Sequence, residues 1–137
     1  MTARRAVVDA SAAVAIVLTR PAAAEFSSFL ADCLIVWAPE LFHAEVANSL
    51  DKYLLAGDLS ADVALDLLER AQDLIDTFVP TARLVEEALF ASSQNRHRIY
   101  DLLYAVLARR RGAVLLTLDR RQAAIAREMG VAVLLPG

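Results

Sequence analysis

An α/β fold is expected for this 137-residue chain: a central, mostly parallel sheet of about four to five short strands flanked by about seven helices. Two observations carry that expectation. Short apolar runs rich in Val, Ile and Leu alternate with longer stretches whose apolar residues recur every three or four positions. The short runs are apolar throughout instead of alternating, as strands buried on both faces are. Composition agrees, because 58% of residues are apolar and only 7% aromatic, giving a core of Ala, Leu and Val suited to helices packed closely on a sheet.

The first strand is Ala6 to Val8, and the helix after it runs from Ser11 to Leu18 with Asp9 or Ser11 as its cap. Pro21 sits in the first turn of a second helix that reaches Asp32. Ile35-Val36-Trp37 form a second strand stopped by Pro39, and a third helix runs from Glu40 to Ala56 with Gly57 as its stop. Its apolar stripe is Phe42, Val46, Leu50, Tyr53 and Leu54; Glu45, Asn48, Ser49 and Lys52 share another face. Ser60 starts a fourth helix that buries Ala64, Leu67, Leu68 and Ala71 and turns Asp62, Asp66, Glu69 and Asp73 to solvent.

Thr77-Phe78-Val79 make a short strand ended by Pro80. A fifth helix follows from Thr81, with Leu84, Val85, Ala88 and Leu89 inward, and fails near Gln94-Asn95. The linker Arg96-His97-Arg98 leads into a sixth helix with stripe Ile99, Leu102, Leu103, Val106 and Leu107, ended by Gly112. Val114 to Leu118 form the strongest strand, Arg120 to Met129 a short helix, and Val131 to Leu135 the last strand. No repeat, linker or low-complexity segment interrupts the pattern, so residues 1–137 are expected to form one domain.

The formal charge of −3 repels a polyanion at long range, so a nucleic-acid role must rest on local features. Residues 1–68 carry four Lys or Arg against nine acids, and residues 69–137 ten Arg against eight acids, which places phosphate contacts in the second half. The single cysteine, Cys33, rules out an intramolecular disulfide and fits a cytoplasmic protein. Arg4-Arg5 and the apolar run to Leu18 mimic a secretory leader, but Asp9 and Pro21 break the pattern. No uncharged apolar run approaches the roughly 20 residues that a membrane span needs.

Four acids stand out by position. Asp9 and Asp119 each end a buried strand, and Glu45 and Asp101 each lie near the start of a helix and off its core stripe. If the first strand and the Val114 to Leu118 strand are central neighbours, all four meet at one sheet edge. Each has a plainer alternative: a helix cap for Asp9 or Asp119, a first-turn acid for Asp101, and a surface partner of Lys52 or Ser49 for Glu45. Together, carboxylates confined without cations cannot all stay ionised, and a hard divalent ion such as Mg²⁺ or Mn²⁺ resolves the conflict.

The segments Val7-Val8-Asp9-Ala10-Ser11, Pro39-Glu40-Leu41-Phe42-His43-Ala44-Glu45-Val46-Ala47-Asn48, Ile99-Tyr100-Asp101-Leu102-Leu103-Tyr104-Ala105-Val106-Leu107-Ala108 and Leu116-Thr117-Leu118-Asp119 resemble, in order, the four acidic motifs of PIN-domain nucleases. More narrowly they resemble the VapC toxins of type II toxin–antitoxin pairs. The resemblance implies metal-binding acids at Asp9, Glu45, Asp101 and Asp119, with Asp9 and Asp101 holding the principal ion. It also implies supporting groups at Ser11, Asn48 and Thr117. The implied activity is Mg²⁺- or Mn²⁺-dependent hydrolysis of RNA phosphodiesters that leaves a 5′-phosphate and a 3′-hydroxyl.

Arg96 and Arg98 before Asp101, and Arg120 and Arg121 after Asp119, are candidate phosphate contacts, with solvated or acid-paired arginines as the alternative. Arg109, Arg110 and Arg111 suit a helix C-terminus, and His43 and His97 read as structural. The resemblance further implies a homodimer and a small antitoxin wrapping a groove made by the first four helices, with Phe42 and Leu55 as candidate contacts and a place in the core as their alternative. The competing classes are a receiver domain, which lacks its lysine after the last strand since Lys52 lies on the third helix, and a dehalogenase-type phosphatase, which lacks a second Asp where Ser11 stands. A non-catalytic PIN-like module that binds RNA or protein, or a PIN nuclease outside a toxin–antitoxin pair, is the alternative within the family.

Overall fold

The computed structural model describes residues 4–137 and places β1 (Arg4–Val8) at the centre of a five-stranded parallel sheet. The first three residues of the expected domain lie outside the described residues. On one side β1 pairs with β2 (Cys33–Pro39), which pairs with β3 (Thr77–Val79). On the other it pairs with β4 (Val114–Leu116), which pairs with β5 (Val133–Leu134). The chain therefore winds outward from β1 to β3, then restarts beside β1 in the opposite direction. That reversal opens a crevice beyond the carboxyl ends of β1 and β4, where open α/β sheets take their ligands.

The connections are helical. α1 (Ala10–Val17), α2 (Ala23–Ala31), α3 (Phe42–Leu55) and α4 (Ala61–Gln72) pack on one another. α5 (Val85–Asn95), α6 (Ile99–Arg111) and α7 (Arg120–Glu128) form a second group, with α6 lying across β1, β2 and β4. Ala6, Val7 and Val8 are wholly buried, so the strand's two faces are both covered, as its unbroken apolar run requires. Gly57 and Gly112 end α3 and α6 in left-handed conformation, at φ 82° and 59°, where a side chain is strained.

Several boundaries differ from expectation. β1 begins at Arg4, and β2 extends from Cys33 through Pro39, which pairs with Val79; the amide of Glu40, next in the chain, donates to the Val79 carbonyl at 2.9 Å. β4 stops at Leu116 instead of Leu118, because the amide of Leu118 turns to the Ser11 hydroxyl. β5 shrinks to two residues. α2 starts two residues after Pro21, and α3 starts at Phe42 instead of Glu40.

The larger correction is in the fifth helix. Thr81–Arg83 is a single 3₁₀ turn, and α5 buries Leu84, Ala88 and Ala91, whereas Val85 and Leu89 face solvent, Leu89 at 65% exposure. Small alanines at this spacing let α5 approach α6, and the bulkier neighbours are turned out. Phe42, a candidate antitoxin contact, is wholly buried in the core, whereas Leu55 is 80% exposed. Among the described residues no helix is long and apolar enough to cross a membrane.

Candidate active site

Asp9 leaves β1 in extended conformation and caps α1: its Oδ1 accepts the amide of Ala12 at 2.9 Å and the hydroxyl of Ser11 at 2.7 Å. Its Oδ2 accepts the hydroxyl of Thr117, the residue that follows β4. Ser11 accepts the amide of Leu118 at 2.9 Å, and Thr117 Oγ1 accepts the amide of Asp119 at 2.9 Å. Two hydroxyls thus lock the turn after β1 to the turn after β4, which is possible because these strands are neighbours.

The carboxyl of Asp9 is only 5% exposed. Burial pushes it up to about 6, opposed by the hydrogen bonds from Thr117, Ser11 and Ala12 and assisted by the nearby charge of Asp119. Oδ2 keeps capacity for a second partner after accepting one hydrogen bond.

Asp119 caps α7 through Oδ1, which accepts the amides of Arg121 at 2.9 Å and Gln122 at 3.2 Å. Its Oδ2 has no hydrogen bond among the described residues. In both Asp9 and Asp119 one carboxylate oxygen accepts the cap amides and the other is left clear of them.

Glu45, in the first turn of α3, accepts the phenol of Tyr104 from α6 instead of pairing with Lys52 or Ser49. Burial raises its carboxyl above the usual range and the charge of Asp101 adds to the rise, while the Tyr104 hydrogen bond lowers it. Tyr104 in turn is pushed upward by its own burial and by Glu45, so it stays a protonated donor. Asp101, in the first turn of α6, pairs with Arg121 at 3.4 Å.

These elements enclose one cavity of about 190 Å³, lined by all four acids together with Ser11, Asn48, Ser49, Tyr100, Tyr104 and Gln122. Thr117 is wholly buried and does not line the cavity; its hydroxyl contacts Asp9 and the amide of Asp119. None of the four candidate arginines lines the cavity. Arg121 pairs with Asp101, the acid-paired alternative to a phosphate contact. Arg96 ends α5 in left-handed conformation at φ 57°, and Arg96, Arg98 and Arg120 are solvent-exposed.

His43 contacts Gln72, Glu40 and the ring of Phe78, and His97 pairs with Glu128. Both are structural. Arg109 and Arg110 pair with Glu87, and Arg111 lies over the Trp37 ring, away from the acids.

The cavity offers oxygen donors only, the set that hard divalent cations prefer. A buried carboxyl raised by desolvation, facing three more carboxyls, is also what a cation would stabilise. As the side chains stand, no three acid, His or Cys groups among the described residues close on one point as a finished metal cage.

Sequence reading overlooked three cavity residues. Tyr104 was detectable, because it lies one turn beyond Asp101 on the same helix face. Gln122 stands three residues after the capping Asp119, a capping-box position. Tyr100 is an aromatic residue directly after the Arg96-His97-Arg98 linker and Ile99.

Residues 6–128 match the family model described as PIN domain. The chain is 36% identical over 121 residues to Ribonuclease VapC1 of Mycobacterium tuberculosis, covering 86% of this chain and 88% of that protein. It is 29% identical over 119 residues to Ribonuclease VapC3 of Pyrobaculum aerophilum, covering 85% of this chain and 91% of that protein. Among solved structures, that of PAE2754 from Pyrobaculum aerophilum matches with a TM-score of 0.71 at 22% identity, over 95% of this chain and 89% of that one, a likeness of fold.

Proposed function

Because this chain belongs to the PIN-domain family and groups within it with the VapC proteins, we propose that it is a Mg²⁺- or Mn²⁺-dependent endoribonuclease, the toxin of a type II toxin–antitoxin pair. The observation that carries the reading is the meeting of four acids from four separate chain segments in one cavity at the reversal of strand order. A protein that needed only helix caps and first-turn charges has no reason to gather them there.

In this reading Asp9 and Asp101 hold the principal ion with help from Glu45, and Asp119 binds it directly or through water. A bound divalent ion would supply an acidified water and would offset negative charge developing on the phosphoryl and leaving oxygens. Ser11 and Thr117 fix the rotamer of Asp9, and Tyr104 fixes that of Glu45, so that the carboxylates need little reorganisation on binding. Asn48 and Ser49 offer polar groups on the α3 wall. Attack of water in line with the 3′ oxygen would form a new P–O bond and break the P–O3′ bond, the leaving oxygen taking a proton, so that a 5′-phosphate and a 3′-hydroxyl remain.

The same reading extends to partners and setting: a cognate antitoxin that covers the acids, a homodimer, a cytoplasmic location, and one PIN unit over residues 1–137. The competing reading is a PIN-like module that binds RNA or protein without cleaving, and the complete set of four acids in one cavity weighs against it. Cleavage of a labelled single-stranded RNA decides between them. Wild type is expected to cut with Mg²⁺ or Mn²⁺ and to stop in excess EDTA, and Asp9→Asn and Asp101→Asn are each expected to lose at least about 100-fold in rate. Undiminished cutting by both variants, or in EDTA, overturns the metal-nuclease reading; binding without cutting selects the module.

A further inference from the structure

We infer that the first turns of α6 and α7 form a nucleobase subsite beside the acids, in which Tyr100 stacks on an unpaired base and the side-chain amide of Gln122 contacts that base's polar edge. The inference rests on the proposed action on RNA and names the part of the substrate that the protein itself grips.

The electrostatics of the cavity motivate it. Four carboxyls repel an RNA backbone, none of the candidate arginines lines the cavity, and Arg121 is already paired with Asp101. Beyond what a bound ion would supply, the side chains of this wall that are free to contact a nucleotide, Tyr100 and Gln122, are uncharged and suit its base instead of its phosphate. Unpaired bases are held by aromatic stacking and by hydrogen bonds along their edges.

Tyr100 supplies the first element. It is 68% exposed at the cavity although the helix behind it, from Leu102 to Ala108, is buried. Its neighbours Tyr104 and Asp101 both have partners, and no hydrogen bond restrains Tyr100 among the described residues.

Gln122 supplies the second. It lines the same cavity and is only 7% exposed, and its Nε2 is the one buried side-chain polar atom without a hydrogen-bond partner among the described residues. Leaving an amide unsatisfied is costly to a fold, and a ligand group that meets it recovers that cost. A carboxamide presents a donor beside an acceptor, the pattern complementary to a base edge. The two helix starts are held together by the Asp101–Arg121 pair, since Asp101 follows Tyr100 and Arg121 precedes Gln122.

The test compares wild type with Tyr100→Ala, Tyr100→Phe and Gln122→Leu. Binding of fluorescently labelled short oligoribonucleotides of differing base composition is read by anisotropy with Ca²⁺ present, and cleavage by KM and kcat with Mg²⁺ or Mn²⁺. Tyr100→Ala is expected to weaken binding of unpaired RNA and to raise KM by about tenfold, with kcat little changed and a fully paired duplex unaffected. Tyr100→Phe is expected to behave as wild type, and Gln122→Leu to flatten the ranking of oligonucleotides by base composition. Melting curves establish that each variant is folded.

Wild-type binding by Tyr100→Ala, or an equal loss in Tyr100→Phe, overturns the stacking role, and an unchanged ranking in Gln122→Leu overturns the amide's role. Tyr100-dependent binding without any cleavage by wild type leaves the subsite standing and sinks the nuclease reading. Normal cleavage by Tyr100→Ala sinks the subsite alone, and wild type that neither binds nor cuts unpaired RNA sinks both.

Discussion

Asp9 shows how a single carboxylate joins fold and chemistry. It caps α1, receives hydroxyls from two other segments, and is pushed from an ordinary 3.8 up to about 6, mainly by burial. Between those values the folded protein holds more protons than the unfolded chain, so this group lowers stability as pH rises from about 4 to about 6, and the loss persists above. The loss is on the order of 3 kcal/mol. In EDTA, Asp9→Asn is therefore expected to melt several degrees above wild type at pH 7.5 and to converge with it near pH 4. A pH-independent difference between their melting temperatures would refute the electrostatic origin. Tyr104→Phe removes only the hydrogen bond that orients Glu45; cleavage is expected to fall about 10- to 100-fold with the melting temperature nearly unchanged. Wild-type kinetics in that variant would show that Glu45 needs no such support.

At the scale of elements, the α5–α6 pair separates what periodicity reveals from what contact decides. The stretch Leu84-Val85-Glu86-Glu87-Ala88-Leu89-Phe90-Ala91 contains two plausible apolar stripes, one through Val85 and Leu89 and one through Leu84, Ala88 and Ala91. Hydropathy favours the larger side chains, but close approach to α6 selects the alanines. Ala91→Leu is accordingly expected to cost about 1–3 kcal/mol by overpacking, whereas Leu89→Ser is expected to change stability by less than about 0.5 kcal/mol. Urea denaturation of the two variants checks the assignment, and the reverse order of effects would return Leu89 to the inner face expected with Leu84, Val85 and Ala88. In α4 the Ser60 cap and the outward acids are as expected, and of the expected stripe Leu67 and Ala71 are buried while Ala64 and Leu68 are half-buried.

For the whole molecule, strand order is the decisive property. With β1 between β2 and β4, residues far apart in the chain converge: Thr117 reaches Asp9 across 108 positions and Tyr104 reaches Glu45 across 59. Mn²⁺ that engages this cluster in the folded state alone is expected to raise the melting temperature of wild type in a concentration-dependent way, and to do so much less in Asp101→Asn. Equal shifts in the two proteins would place the ion elsewhere. The amino-acid sequence by itself determined the α/β class, the element order, and the placing of Asp9 and Asp119 where buried strands give way to helices. Those features follow from local apolar runs and abrupt polar stops. Only the tertiary structure decided that β1 and β4 are neighbours, that Arg121 is drawn to Asp101, and that Tyr100 and Gln122 stand beside the acids. Hydrophobic periodicity tells each element which face to bury, but it does not say which other element will cover it, and partners between distant segments exist only once that choice is made.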